Sequence, residues 1–119
     1  GMIKLKRAYD PASEDDGYRV LVDRIWPRGV SKDRARIDLW IKDIAPSAEL
    51  RKWFHHDPDK WDDFRRRYHE ELAEKDEAIE RLQRACYDHP VITLVFAAKD
   101  REHNNAVALK DFLEGRSAR

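Results

Sequence analysis

The sequence has one cysteine, one methionine, four glycines and no long uninterrupted apolar stretch. Cys86 alone cannot form an internal disulfide, which favours the reducing cytoplasm over a secreted, disulfide-stabilised class. No segment resembles a signal peptide or a membrane span, so we expect no membrane association. The glycines form no phosphate-binding loop, and the histidines lack the spacing of metal ligands. We therefore expect neither a metal nor another cofactor.

Net charge is also absent, because 24 basic residues balance 24 acidic ones. This balance argues against nucleic acid as a partner, since the protein as a whole would not attract it. The chain does contain 41% hydrophobic and 40% charged residues, a composition typical of a soluble globular protein. Its length suits one domain, which we expect to cover residues 1–119. We expect Gly1 to be a remnant of expression and residues 115–119 to be a frayed tail.

Four apolar segments have the features of β-strands. They cover residues 2–9, 18–25, 37–44 and 91–98. The last segment is apolar at every position except Thr93, which is typical of a central parallel strand covered on both faces. The connection after the first strand is short and acidic, so this strand could also pair antiparallel.

Between the third and fourth strands the apolar residues recur with helical spacing. The pattern predicts a helix over residues 48–56 and further helix from Pro58 to Pro90, either kinked or divided near Lys75, and we expect two helices. A last helix should begin at an N-cap on Asp100 and end at Gly115. Strands that alternate with helices predict an α/β domain of about four mostly parallel strands with flanking helices, in a Rossmann-like three-layer arrangement.

Three of the strands end in an acid and a base side by side. The pairs are Asp23-Arg24, Lys42-Asp43 and Lys99-Asp100. The carboxyl ends of parallel strands meet at one edge of the sheet, where open α/β sheets bind their ligands. The sequence therefore predicts a binding site at this edge.

The segment after the fourth strand has an unusual polar start to its helix. A helix N-terminus offers free N–H groups and a partial positive charge. Lys99, His103 and the amide of Asn104 or Asn105 could therefore hold a phosphate or carboxylate group there. The alternative is that these residues only cap the helix and cover its surface.

The loop after the second strand contains two arginines around a tryptophan. Arg24 and Arg28 could bind carboxylate or phosphate, and the Trp26 ring could stack on a planar group. The alternative is that Trp26 closes the end of the core and that Arg24 pairs with Asp23 or Asp100.

These features together predict an anion-binding pocket for a small phosphorylated or nucleotide-like compound. The predicted ligand contacts are Arg24, Trp26, Arg28, Lys42, Lys99, His103, Asn104 and Asn105. Asp23, Asp43 and Asp100 would orient the basic side chains. If the protein is an enzyme, Asp23 or Asp100 is the candidate general base.

A noncatalytic binding or interaction module is the alternative function, because the chain lacks an evident nucleophile and a metal motif. If this module binds nucleic acid, Lys4, Lys6 and Arg7 should lie on the same face of the protein as the arginines of the site. The sequence leaves open whether the protein is an enzyme.

Aromatic side chains concentrate around the Asp57-Pro58 junction, as Trp53, Phe54, Trp61 and Phe64. They could form an exposed patch for a second copy or pack inside one chain. The stripe spacing lets both helices face the same sheet, so we expect burial within a monomer. Cys86 lies on the apolar stripe of its helix, where packing is the expected role.

Several blocks of the chain together resemble the short, YeaO-like branch of the uncharacterised domain-of-unknown-function 488 family. The resemblance spans nearly the whole chain. The blocks are Val22–Gly29, Lys42–Ser47, Leu50–Phe54, Ala97–Asp100 and Glu102–Ala106. It implies a compact α/β fold and a bacterial or archaeal origin, and it supplies no reaction. Longer relatives have Cys-His-Arg where this chain has Asn104-Asn105-Ala106, so the resemblance implies no cysteine mechanism here.

Overall fold

Four strands form one parallel sheet in the computed structural model, which describes residues 1–117. The strands are β1 (Met2–Arg7), β2 (Tyr18–Leu21), β3 (Leu39–Trp40) and β4 (Val91–Phe96). Their spatial order is β1-β4-β2-β3, and all three pairings are parallel. With helices packed on the sheet, the predicted α/β fold class is confirmed.

The strands are shorter than predicted, most of all β3. The predicted strand over 37–44 pairs only through Leu39 and Trp40, because its partner β2 ends at Leu21. Backbone bonds from Ile44 N–H to the Ile41 carbonyl oxygen (3.3 Å) and from Ala45 N–H to that of Lys42 (3.2 Å) then close a 3₁₀ turn. The prediction that the Lys42-Asp43 pair ends a strand is therefore wrong.

The first strand is parallel to its neighbour, which resolves the alternative left open by the sequence. In the sheet, β4 lies between β1 and β2. The connection over residues 8–17 runs from the carboxyl end of β1 back to the amino end of β2. A 3₁₀ turn at Glu14–Asp16 replaces the crossover helix. The Thr93 hydroxyl donates to the Asp16 carbonyl oxygen (2.6 Å) and holds this turn against β4.

Five α-helices lie within the described residues. They are α1 (Lys32–Ala35), α2 (Ala48–Phe54), α3 (Trp61–Leu72), α4 (Asp76–Asp88) and α5 (Asn105–Ser117). No periodicity predicted α1, because it is a single turn capped by Ser31. The helices α2, α3 and α4 connect β3 to β4, and the division between α3 and α4 confirms two helices rather than one kinked helix.

Several helix ends differ from the prediction for local reasons. Helix α2 ends at Phe54, two residues early, because His55 and His56 adopt left-handed backbone conformations (φ 45° and 56°). Pro58 opens a 3₁₀ turn, and α3 begins only at Trp61.

The last helix begins later and ends later than predicted. It starts at Asn105 and passes through Gly115 to Ser117, so the predicted end at Gly115 is wrong. The final part of the predicted tail, residues 118–119, lies outside the described residues. None of the helices in residues 1–117 combines the length and the hydrophobicity needed to span a membrane.

Hydrophobic clusters cover both faces of the sheet, as the pattern of β4 predicted. The larger cluster lies between the sheet and α2 to α5, and includes Val20, Ile92, Leu94, Phe96, Phe64, Leu82 and Leu109. The smaller cluster consists of Ala8, Leu21 and Val95, with Trp26, Ile37 and Trp40 packed against it.

The aromatic residues around the Asp57-Pro58 junction pack within one chain. Phe54 and Phe64 are buried and their ring centroids lie 4.2 Å apart. Trp53 and Trp61 are partly buried against the same cluster. Two of the four side chains are thus buried within the chain, as the stripe spacing predicted, and the other two stay partly exposed.

Candidate functional site

The carboxyl ends of β2 and β4 are neighbours, and Asp23 connects them. Its Oδ2 accepts a hydrogen bond from the Ala97 N–H (2.9 Å), and its Oδ1 accepts one from Asn105 Nδ2 (3.0 Å). Asn105 Nδ2 also donates to the Val22 carbonyl oxygen (3.2 Å). One carboxylate therefore joins the ends of two strands to the first turn of α5, on the sheet edge that the sequence indicated.

Burial raises the pKa of the Asp23 carboxyl group. Hydrogen bonds from Asn105 and from the Ala97 N–H, and the positive charge of Arg51, oppose this effect without reversing it. A raised carboxyl pKa suits a general base. Both oxygens of Asp23, however, already accept hydrogen bonds from the protein, so the carboxylate also has a structural task.

Three basic side chains at this edge make no ion pair or hydrogen bond with any of residues 1–117. They are Arg24, Arg28 and Lys99, and all three are exposed. The expected alternative for Arg24, a pair with Asp23 or Asp100, is therefore not formed. Burial is the main cause that lowers the pKa of Lys75, Glu71 opposes it, and the nearby charge of Arg24 lowers it further. Arg24 and Lys75 are thus close enough to interact, and the carboxylates of Glu71 and Asp43 act on Lys75 in the opposite direction.

Asp100 organises the turn after β4. Its Oδ1 accepts hydrogen bonds from the N–H groups of Glu102 (2.9 Å) and His103 (3.0 Å), and its Oδ2 lies 2.9 Å from His103 Nδ1. The Glu102 N–H, followed by the His103 side chain, holds the pKa of Asp100 below its usual range. Both oxygens of Asp100 are therefore engaged in holding this turn.

The two asparagines have different roles. Asn104 is buried, and its Oδ1 accepts a hydrogen bond from the Val107 N–H (3.0 Å) while its Nδ2 donates to the Asp100 carbonyl oxygen (2.9 Å). Asn104 therefore caps α5, and the predicted N-cap on Asp100 is wrong. Asn105 instead reaches back to Asp23. The alternative that these residues only cap the helix therefore describes Asn104 and does not describe Asn105.

Trp26 and Lys42 lie beside Trp40 rather than beside the asparagines. The Trp26 ring packs edge-on to that of Trp40 with centroids 5.5 Å apart, and its Nε1 donates to the Val30 carbonyl oxygen (2.6 Å). Lys42 Nζ lies 4.2 Å from the centroid of the Trp40 ring. Trp26 thus closes the end of the smaller core, as the alternative reading proposed. His103 is also engaged, edge-on to the ring of Trp61 (5.4 Å).

Sequence reasoning missed a group of polar residues from α2 and α3 at the same edge. Tyr68 is buried and donates to the Ile44 carbonyl oxygen (2.6 Å), and Ser47 Oγ donates to Glu71 (2.6 Å). Burial, followed by the charges of Asp23 and Glu71, raises the pKa of Tyr68 well above its usual range. Tyr68 is one of the residues that recur with helical spacing between the third and fourth strands, and this spacing gives no indication of a hydrogen bond from its hydroxyl group.

No group of three or more potential metal ligands among histidine, cysteine, aspartate and glutamate occurs in residues 1–117. Cys86 is partly buried in the larger core, and burial raises the pKa of its thiol.

Three open grooves on the surface are lined by other residues. One lies between α2 and α3 and includes Trp53 and Glu71, one follows α3 around His69, and one lies at the amino ends of the strands beside Tyr18. None of these three grooves contains a predicted ligand contact.

A family model described as "Inactive DUF488-N3 subclade" matches residues 2–119. The chain belongs to this family. The resemblance found in the sequence blocks is thereby confirmed, and the match covers the acidic, basic and asparagine residues of the carboxyl edge.

Bacterial proteins of nearly equal length resemble the chain throughout. The uncharacterised protein YeaO of Escherichia coli is 45% identical over 111 residues, which are 93% of this chain and 96% of YeaO. The uncharacterised protein Rv3073c of Mycobacterium tuberculosis is 44% identical over 114 residues, 96% of this chain and 95% of its own length. No solved structure matches the chain significantly.

Proposed function

We propose that the protein binds a small anionic ligand, such as a phosphate group, at the carboxyl edge of its sheet and does not turn it over. The observation that carries the proposal is the set of exposed basic side chains Arg24, Arg28 and Lys99, which have no partner in residues 1–117. The acids beside them are occupied, since Asp23 and Asp100 accept hydrogen bonds from the protein. The edge therefore has positive charge that an anion could neutralise.

Of the predicted ligand contacts, those with free polar groups form the proposed site. Arg24, Arg28 and Lys99 would supply the charge, with Lys42 and His103 at its border. Trp26, Asn104 and Asn105 would support the site without touching the ligand, because their hydrogen-bond donors are used within the protein.

Binding without turnover is favoured over catalysis for two reasons. The Asp100 carboxylate has a lowered pKa, and both oxygens of Asp23 are already hydrogen-bonded, so neither is well suited to take a proton. The description of the matching family as inactive agrees with this proposal. A panel of nucleotides and sugar phosphates tests it: turnover that Asp23→Asn removes would establish an enzyme instead.

The contacts of β1 weigh only in part against a nucleic-acid version of the proposal. Lys6 pairs with Asp16 (3.0 Å), so its charge is neutralised within the chain. Lys4 Nζ donates to the Asp15 carbonyl oxygen (2.9 Å) and Arg7 donates to the Ala98 carbonyl oxygen (2.8 Å), so both side chains keep their charge. The balance of 24 basic and 24 acidic residues is the stronger argument against nucleic acid.

We further propose that the protein acts as a monomeric single domain in the cytoplasm. The aromatic side chains that could have formed a dimer patch pack against the core of the same chain, and the one cysteine fits a reducing compartment.

Titration with inorganic phosphate at low ionic strength tests the binding site. We expect saturable changes in the backbone NMR signals of residues 23–29 and 97–105. Arg24→Ala should weaken binding by about tenfold, because a hydrogen bond to a charged group contributes about 1.5 kcal/mol or more. The matched control is Arg84→Ala, since Arg84 is also exposed but lies on α4. Signals that do not saturate, or an equal effect of both variants, would contradict the proposal.

A further inference from the structure

The loop that follows β2 is attached to the protein at both ends. The Asp23 side chain holds the end of β4, and the Asp23 carbonyl oxygen accepts a hydrogen bond from Trp40 Nε1 (2.7 Å). The Trp26 ring packs edge-on to that of Trp40 (5.5 Å between centroids), and Pro27 is buried. These contacts hold the backbone just before Arg24 and just after Ile25.

The residues between these attachments point into solvent. Ile25 is 68% exposed, although it is a large aliphatic residue, and its neighbour Arg24 is exposed as well. Tyr9 is 45% exposed and donates to the Arg28 carbonyl oxygen (3.0 Å), so its ring is attached to the same loop. One exposed aliphatic side chain thus follows an exposed arginine on this loop, and an exposed tyrosine is bonded to its backbone.

Isolated exposed apolar residues are common on protein surfaces, but this loop brings two of them together. Only four large apolar residues in the described part of the chain are exposed: Met2, Tyr9, Ile25 and Tyr87. Two of them, Tyr9 and Ile25, are held by this one loop beside unpaired arginines. A fixed loop loses little conformational freedom when a ligand binds, so its contacts contribute to affinity more fully than those of a mobile loop.

We infer that the anion of the proposed site is a phosphate monoester whose organic group is apolar or aromatic. The inference rests on the proposed function. The phosphate would contact Arg24 and Arg28, and the organic group would cover Ile25 next to them. A nucleoside monophosphate belongs to this class, and inorganic phosphate alone would leave Ile25 uncovered.

The test compares two probes, inorganic phosphate and phenyl phosphate, on the same protein. We expect phenyl phosphate to bind about fivefold more tightly, because covering part of an isoleucine side chain removes apolar surface from water. Ile25→Ser should abolish this difference and leave the affinity for inorganic phosphate unchanged. Tyr87→Ser is the matched control, since Tyr87 is 91% exposed on α4 and outside the loop.

The outcomes separate this inference from the proposed function. If inorganic phosphate binds but phenyl phosphate binds no more tightly, or if Ile25→Ser keeps the difference, the inference is wrong and the anion site stands. If neither probe binds, the proposed function fails as well. The indole N–H signal of Trp26 reports on the fold of the loop in each variant, because its hydrogen bond to Val30 depends on that fold.

Free esters and the phosphorylated end of a nucleic acid share this chemistry. Adenosine monophosphate and a 5′-phosphorylated oligonucleotide distinguish the two sources. Tighter binding of the oligonucleotide would identify a chain end as the ligand, and equal binding would identify the free ester. In either case Ile25→Ser should weaken binding.

Discussion

Asp16 and Arg19 form a nearly buried ion pair on the sheet face that carries the smaller core. They are 5% and 3% exposed, and Arg19 Nη1 lies 2.6 Å from Asp16 Oδ2. Lys6 also pairs with this carboxylate (3.0 Å), and the Ser13 N–H donates to it (3.0 Å). Burial alone would raise the pKa of Asp16, but these donors outweigh it and leave the pKa below 3.8.

Replacing this carboxylate should therefore cost stability in a pH-dependent way. Asp16→Asn should lower the free energy of unfolding by about 3 kcal/mol at pH 7, because Arg19 loses its buried counter-charge. A lowered native pKa gives stability that is present above the unfolded pKa and lost as pH falls through the native value. The difference between the two proteins should thus shrink below pH 3.8, the unperturbed pKa.

Urea unfolding at pH 7 and pH 3 measures this difference. Asp15→Asn is the control, because Asp15 is adjacent and exposed. A loss that is as large at pH 3 as at pH 7 would show that packing, and not charge, is responsible.

At the scale of residues, the sequence predicted which residues lie at the carboxyl edge of the sheet better than the contacts that they make. The acid and base of the second apolar run do lie at this edge, two residues beyond the end of β2. The hydrogen bond from the Ala97 N–H to Asp23 could not be predicted, because it requires β4 to lie beside β2, although 74 positions separate the two residues. The burial of Trp26 depends in the same way on the distant Trp40.

At the scale of elements, the approach of Gly17 to β4 fixes how the first connection enters β2. Gly17 has φ 64°, and an added Cβ would lie 2.3 Å from the Val91 carbonyl oxygen. Gly17→Ala should therefore lower the free energy of unfolding by about 3 kcal/mol or more, since backbone strain and a clash with backbone act together.

Gly115→Ala is the contrasting substitution. Gly115 lies in α5 with no atom within 4 Å of an added Cβ, so alanine should stabilise the protein by up to about 1 kcal/mol. Thermal unfolding of both variants provides the measurement. A tolerated Gly17→Ala would mean that the connection can move away from Val91.

The predicted elements were reliable where a long periodic pattern existed and unreliable where one did not. The stripes of α3 and α4 and the apolar run of β4 identified these elements. The segment 37–44 has the composition of a strand, but only Leu39 and Trp40 pair with β2, and Ile37 packs against the smaller core without pairing. Composition alone does not distinguish a segment that packs over the core from a strand that pairs with the sheet.

At the scale of the molecule, the packing of the aromatic cluster predicts a monomer. Phe54 and Phe64 are buried. Trp61 packs against both of these rings, and Trp53 packs against the larger cluster that contains them. Sedimentation at micromolar concentration should therefore give one species of 14.2 kDa. A dimer mass that Trp61→Glu converts to a folded monomer would instead identify an interface on α2 and α3.

The central position of β4 has a consequence during synthesis. Residues 91–96 supply the strand that pairs with both β1 and β2, yet they follow most of the chain. At about 5–20 residues per second, the ribosome leaves both earlier strands without their common neighbour for several seconds. In that interval only the two-residue pairing of β2 with β3 can form. A nascent chain that stops before residue 91 therefore exposes its strand edges to chaperones and proteases, and the sheet assembles only after β4 has been synthesised.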